Sequence, residues 1–203
     1  MKRSIILFVM LAIANLSFSQ DYQKLINAFK ESYTQETNGE YSKAIETIKA
    51  VYTESDYEVN LRLGWLHYMA GLFTESQAYY QKAVTLMPYS IEAKLGYVYP
   101  ASALGNWNQV KNMYDEILKI DPNNSLVNYR LGLIYYGKED YATALKYFEK
   151  VVNLYPFDYD GLLYYAWTNF KLGKQREAKV LFNKVLMLSP DDSSAKEGLS
   201  LIK

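Results

Sequence analysis

Short, aromatic and aliphatic positions recur along this chain at one fixed spacing. A short side chain is followed four places on by a ring, and three places further by an apolar residue. The sets are Ser76, Tyr80 and Ala83; Val110, Tyr114 and Ile117; Ala144, Phe148 and Val151; and Ala178, Phe182 and Val185. An earlier set, Ala44, Ile48 and Val51, keeps the spacing with an isoleucine in place of the ring. Offsets of four and three put all members of a set on one face of a helix.

Breakers bracket each of these helices. Gly39, Gly71, Gly105 and Gly173 precede them in one column, with Glu139 in the fourth copy, and Tyr41, Phe73, Trp107, Tyr141 and Gln175 follow two residues later. Pro88, Pro122, Pro156 and Pro190 close four of the copies at intervals of 34 residues, and Asp56 is read in that place in the first copy. Glycine allows a tight turn out of a preceding helix, and proline ends a helix while its fixed φ suits entry to the next. Ser90, Asn124 or Ser125, and Asp158 are the expected N-caps there. Each copy therefore reads as two antiparallel helices. One such hairpin cannot cover its own apolar face, so neighbours must stack. The units are 25–56, 57–90, 91–124, 125–158 and 159–192, with a helix over 193–203 capping the last exposed face.

The segment "SLVNYRLGLIYYGKEDYATALKYFEKVVNLYP" strongly resembles the tetratricopeptide repeat, through Leu131, Gly132, Tyr135, Tyr141, Ala144, Phe148, Val151 and Pro156. The second unit carries the same pattern in "LGWLHYMAGLFTESQAYYQKAVTLMP", and the fifth carries it through Ala166, Gly173, Ala178, Phe182, Val185 and Pro190. The resemblance covers residues 25–190. It implies an all-α fold, a right-handed α-solenoid of about five helical hairpins plus the C-terminal capping helix. It also implies a concave face, lined by first helices, that binds a protein or peptide. Carrying the family's groove positions onto this chain gives Leu61, Trp65, Tyr68 and Met69; Leu95 and Tyr99; Tyr129, Leu133 and Tyr136; and Leu163, Trp167, Phe170 and Lys171. Phe29 and Tyr33 join them from the end unit. The lining is aromatic and apolar, and rings supply large contact area at low entropic cost. Two departures stand out. The first unit lacks the Leu-Gly pair and the proline, and the third places Leu95 and Gly96 two residues early, with Pro100 inside its first helix expected to bend it.

Composition then narrows the function. The 203 residues contain 21 tyrosines, no cysteine, and 22 basic against 22 acidic side chains. There is no basic run of the kind nucleic-acid binding needs, and thiolate chemistry, disulfides and cysteine metal sites are excluded. His67 is the single histidine and reads as core. Arg62 and Arg130 stand at equivalent places two units apart and read as solvated or helix-paired, although they could face an acidic partner. Asp191 and Asp192 suit a helix start, and Lys146, Glu149 and Lys150 suit a solvated convex face. No phosphate loop appears, and neither a cofactor nor a metal site is expected. The leading reading is thus a non-enzymatic scaffold or adaptor. A glycan-binding accessory, stacking sugars on Trp65, Trp107 or Trp167, is the alternative, and an enzyme is third. Oligomerisation stays open.

The first residues, "MKRSIILFVMLAIANLSFSQ", pair a positive Lys2–Arg3 start with an apolar run from Ile5 to Ala14. Ser17 and Ser19 stand at the −3 and −1 places for cleavage before Gln20. Residues 1–19 are read as a signal peptide and 20–203 as the mature repeat domain, periplasmic or secreted, with no membrane span after cleavage. An uncleaved anchor is the competing reading. Mass spectrometry of the native protein is expected to find an amino terminus near Gln20; an intact Met1 in a membrane fraction would establish the anchor instead.

Overall fold

Each proline of the 34-residue column occupies the second place of a four-residue turn whose last residue caps the next helix. In the computed structural model, which describes residues 22–202, the N–H of Ser90, Asn124, Asp158 and Asp192 donates to the carbonyl of Met87, Asp121, Tyr155 and Ser189 respectively. Proline suits the second place of such a turn because its φ is already set. It also forces the residue before it to be extended, as at Met87 (φ −128°, ψ 80°) and Tyr155 (φ −127°, ψ 78°). The side chains of Ser90, Asn124 and Asp158 then accept from the backbone N–H three residues on, and Asp192 does the same. In the first copy the turn runs from Thr53 to Asp56. Glu54 therefore holds the proline's place, and Asp56, read above in that place, is instead the cap position. The expected leader, residues 1–19, lies outside the described residues.

The other connections are also uniform. After the first helix of each pair, the N–H of Gly39, Gly71, Gly105, Glu139 and Gly173 donates to the carbonyl three residues back, and the following N–H donates to the carbonyl five back. This is the Schellman ending, which needs a left-handed residue at its centre. The four glycines lie at φ 73–76°, and Glu139 is held at φ 61°.

These two turns alternate to give eleven helices among the described residues, and no strand. The first, α1, covers 22–37. It is followed by α2 (Tyr41–Lys49), α3 (Tyr57–Met69), α4 (Phe73–Leu86), α5 (Ile91–Ala103), α6 (Trp107–Ile120), α7 (Ser125–Gly137), α8 (Tyr141–Leu154), α9 (Tyr159–Lys171), α10 (Gln175–Leu188) and α11 (Ser193–Leu201). First helices begin at Tyr57, Ile91, Ser125 and Tyr159, and α11 begins at Ser193 in the same phase. The chain forms two compact units that meet within α6, one ending at Met113 and the other starting at Tyr114. In the first unit α3 packs on α2, α4 and α5; in the second, α9 packs on α7, α8, α10 and α11.

Burial follows the spacing read from the sequence. Ile48, Phe148, Phe182, Ile117 and Val185 are fully enclosed. Tyr80 is buried between two first helices: a Cβ at Gly64 of α3 would come within 2.8 Å of its ring, and one at Gly96 of α5 within 2.1 Å. Gly132 and Gly198 stand in the same way against Phe148 and Phe182. This corrects the reading of Leu95 and Gly96 as a displaced copy of the Leu-Gly pair. α5 starts in phase, and Gly96 is its sixth residue, the place that faces the ring of the preceding hairpin. In α9 the sixth residue is Tyr164, which stacks on Phe148 at 5.7 Å. α5 runs unbroken through Pro100, which is buried in its last turn.

His67 is buried, donates from Nδ1 to the Leu63 carbonyl (2.7 Å) and lies 4.8 Å from the Tyr79 ring. Burial, with some repulsion from Lys49, lowers its pKa below the ordinary value.

Both the strained turn and the buried histidine can be tested. Replacing Glu139 by Gly removes the cost of a left-handed non-glycine residue and should stabilise the second unit by about 1 kcal/mol, whereas Gly105→Ala should cost about that much; chemical denaturation of the variants measures both. As pH falls from 7.5 to 5.5, the unfolded chain takes up a proton at His67 before the folded chain does. Melting temperature should therefore fall over that interval. His67→Asn should flatten the fall; it would copy Asn169, which bonds the carbonyl four residues back in α9.

Candidate functional site

First helices carry the residues of interest at their second, fifth and ninth places, so that each presents one stripe. In α3 these are Glu58, Leu61 and Trp65, and in α5 they are Glu92, Leu95 and Tyr99. α1 adds Phe29, Tyr33 and Glu36, also at helical spacing. Together they line an open cavity of about 850 Å³ in the first unit, with Tyr57, Arg62, Tyr80 and Gly96 completing the wall. Tyr80 reaches the cavity from α4 because neither Gly64 nor Gly96 has a side chain to block it. Burial raises the pKa of its phenol well above the usual value.

One carboxylate organises the wall. Glu36 of α1 accepts from Arg62 Nη1 at one oxygen and from the Trp65 indole N–H at the other. Arg62 is 6% exposed, donates from Nε to Ser32 Oγ (3.1 Å), and lies over the Tyr33 ring with its guanidinium carbon 4.0 Å from the centroid. Its Nη2 has no acceptor among the described residues. Tyr57 bonds Ser90 Oγ (2.7 Å) and approaches Glu92 (3.4 Å); burial, foremost, raises its pKa. Glu58 and Glu92 are exposed.

The second unit has a smaller cavity of about 420 Å³, lined by Tyr136, Leu163, Tyr164, Trp167, Phe170 and Lys171, and by Ser194, Glu197 and Leu201 of α11. Trp167 donates its indole N–H to Ser194 Oγ (2.9 Å) and meets Phe170 and Phe182 edge-on. Tyr136 packs edge-on against Tyr141 and Tyr164.

The expected groove residues divide accordingly. Leu61, Trp65, Leu95 and Tyr99, with Phe29 and Tyr33, meet in the first cavity, and Tyr136, Leu163, Trp167, Phe170 and Lys171 meet in the second. Tyr68 lies beside the first cavity, against Trp65, Tyr99 and Phe73. Met69 is exposed at the end of α3 and lines neither cavity. Tyr129 is instead packed on Phe148 and Tyr164, and half-buried Leu133 lines neither cavity. Arg62 is neither solvated nor paired within its own helix: it is buried and bonded across to α1, whereas Arg130 is exposed. Sequence reasoning missed Glu58 and Glu92, although they stand at the second helix place, a groove position of the family. It also missed Ser194, Glu197 and Leu201, at the second, fifth and ninth places of α11, a helix taken only as a cover. Glu36 carried no such signal.

Among the described residues, no three His, Cys, Asp or Glu side chains gather as a metal ion would require, and no helix is long and apolar enough to cross a membrane.

Comparison with known proteins gives a consistent picture. Tetratricopeptide repeat models match residues 29–91, 125–158 and 160–191. The TPR repeat-containing protein YpiA of Bacillus subtilis is 26% identical over 184 residues, 90% of this chain and 43% of its own length. Anaphase-promoting complex subunit 7 of Arabidopsis thaliana is 26% identical over 168 residues, 80% of this chain and 30% of its own. The chain thus spans less than half the length of these curated relatives. Among solved structures, a tetratricopeptide repeat protein from Parabacteroides merdae superposes with a TM-score of 0.74 at 22% identity, covering 88% of this chain and 72% of that one. MamA from Desulfovibrio magneticus gives 0.69 at 19% identity, covering 84% and 97%. At such identities the structural likeness speaks for the fold alone, but the repeat models cover most of the chain, and the helical phase, the capped proline turns and the ring-and-glycine packing agree with them. The chain belongs to the tetratricopeptide repeat family.

Proposed function

We propose that this protein is an exported, non-enzymatic scaffold that binds segments of partner protein in its aromatic cavities. The observation that carries the reading is the first cavity. It is about 850 Å³ in volume and open, and its lining includes Trp65 and a Tyr99 ring that is 49% exposed. Pockets of this size, lined by rings with a few oriented polar groups, are the usual form of a binding site. Export rests on the amino-terminal pattern described above.

A glycan-binding role draws support from Trp107, whose ring is 60% exposed. It draws less from Trp65 and Trp167, whose indole N–H groups are already bonded within the fold.

Co-purification of the mature protein from its native host, compared with variants, tests the protein-partner reading. Tyr99→Ala removes a ring with few internal commitments and should weaken capture about tenfold or more, with little change in melting temperature. Trp167→Ala should reduce capture as well, at a larger cost in stability because Phe170 and Phe182 lose a packed neighbour. Unchanged capture by Tyr99→Ala, or a tryptophan-fluorescence response to oligosaccharides alone, would overturn the reading.

A further inference from the structure

The first cavity is more than an aromatic recess, because its charges are arranged unequally. Three carboxylates line it, Glu36, Glu58 and Glu92, against the single guanidinium of Arg62. Glu36 is consumed in neutralising Arg62, so Glu58 and Glu92 at the exposed rim face no cation of the lining. Two turns along the same helix as Glu92, the Tyr99 ring is 49% exposed and offers contact area to a ligand. An anionic ligand would meet repulsion from the two carboxylates.

From this we infer that the occupant is an extended peptide segment bearing a lysine or arginine. Its cationic head group pairs with Glu58 and Glu92 at the rim, while neighbouring side chains of the segment pack on the exposed Tyr99 ring within the same cavity. The inference rests on the protein-partner reading above and adds the chemistry of the partner. Rim charges are partly exposed, so the attraction weakens as salt rises.

The test is selection of a random dodecapeptide phage library on the mature protein, followed by titration of one selected synthetic peptide monitored by tryptophan fluorescence. Binders should be enriched in Lys or Arg. Replacing the basic residue of the peptide by norleucine, or using the Glu58→Gln/Glu92→Gln double variant, should each weaken binding about tenfold, and the double variant should melt within a few degrees of the parent. Acidic or uncharged binders, or affinity unmoved by the double variant, overturn the inference while leaving peptide capture standing. A library that yields no binder overturns both.

Discussion

Rings from three of the second helices have to enter spaces that no side chain occupies. Tyr80 is admitted by Gly64 on one side and Gly96 on the other, Phe148 by Gly132, and Phe182 by Gly198. Closely packed interiors resist even a methyl group of excess volume. Within each unit the rings therefore fix how near the first helices beside them can come, and through them the phase of the stripes those helices present. The glycines are conformationally ordinary; what matters is that they are small.

The fold was largely legible because its determinants are local. A proline turn, a Schellman ending and a one-face stripe each need only a few neighbouring residues, and 34-residue repetition shows the same solution several times over. Where one copy changes a residue, the others disclose its role, as Glu139 does among glycines. The misreadings came where a residue type was followed instead of a helical phase. Gly96 resembles the glycine of the Leu-Gly pair, yet its place in α5 gives it a different neighbour. Asp56 was aligned with a proline because the short α2 hides where the turn begins.

The candidate site was legible as a set of rings and illegible as a network. Trp65 and Tyr99 follow from helix places, but the Glu36 bridge joins α1 to α3 across 26 residues in the unit whose pattern is weakest. No periodicity links the two ends of an ion pair. Arg62 looked like its exposed counterpart Arg130 because they share a repeat position; only the preceding hairpin, which differs, decides that one is buried. Emphasis on aromatic lining also hid the acids, which occupy the same stripe two turns earlier.

Glu36 gives the first described helix a share in recognition as well as in stability. A buried guanidinium deprived of its carboxylate is costly to keep, on the order of 3–5 kcal/mol, so the wall formed by Arg62 and Trp65 holds its shape only while α1 is docked. Affinity at this recess is therefore coupled to the docking of α1: a ligand seated there would hold that helix in place, and agents that loosen α1 would eject the ligand without unfolding the remainder.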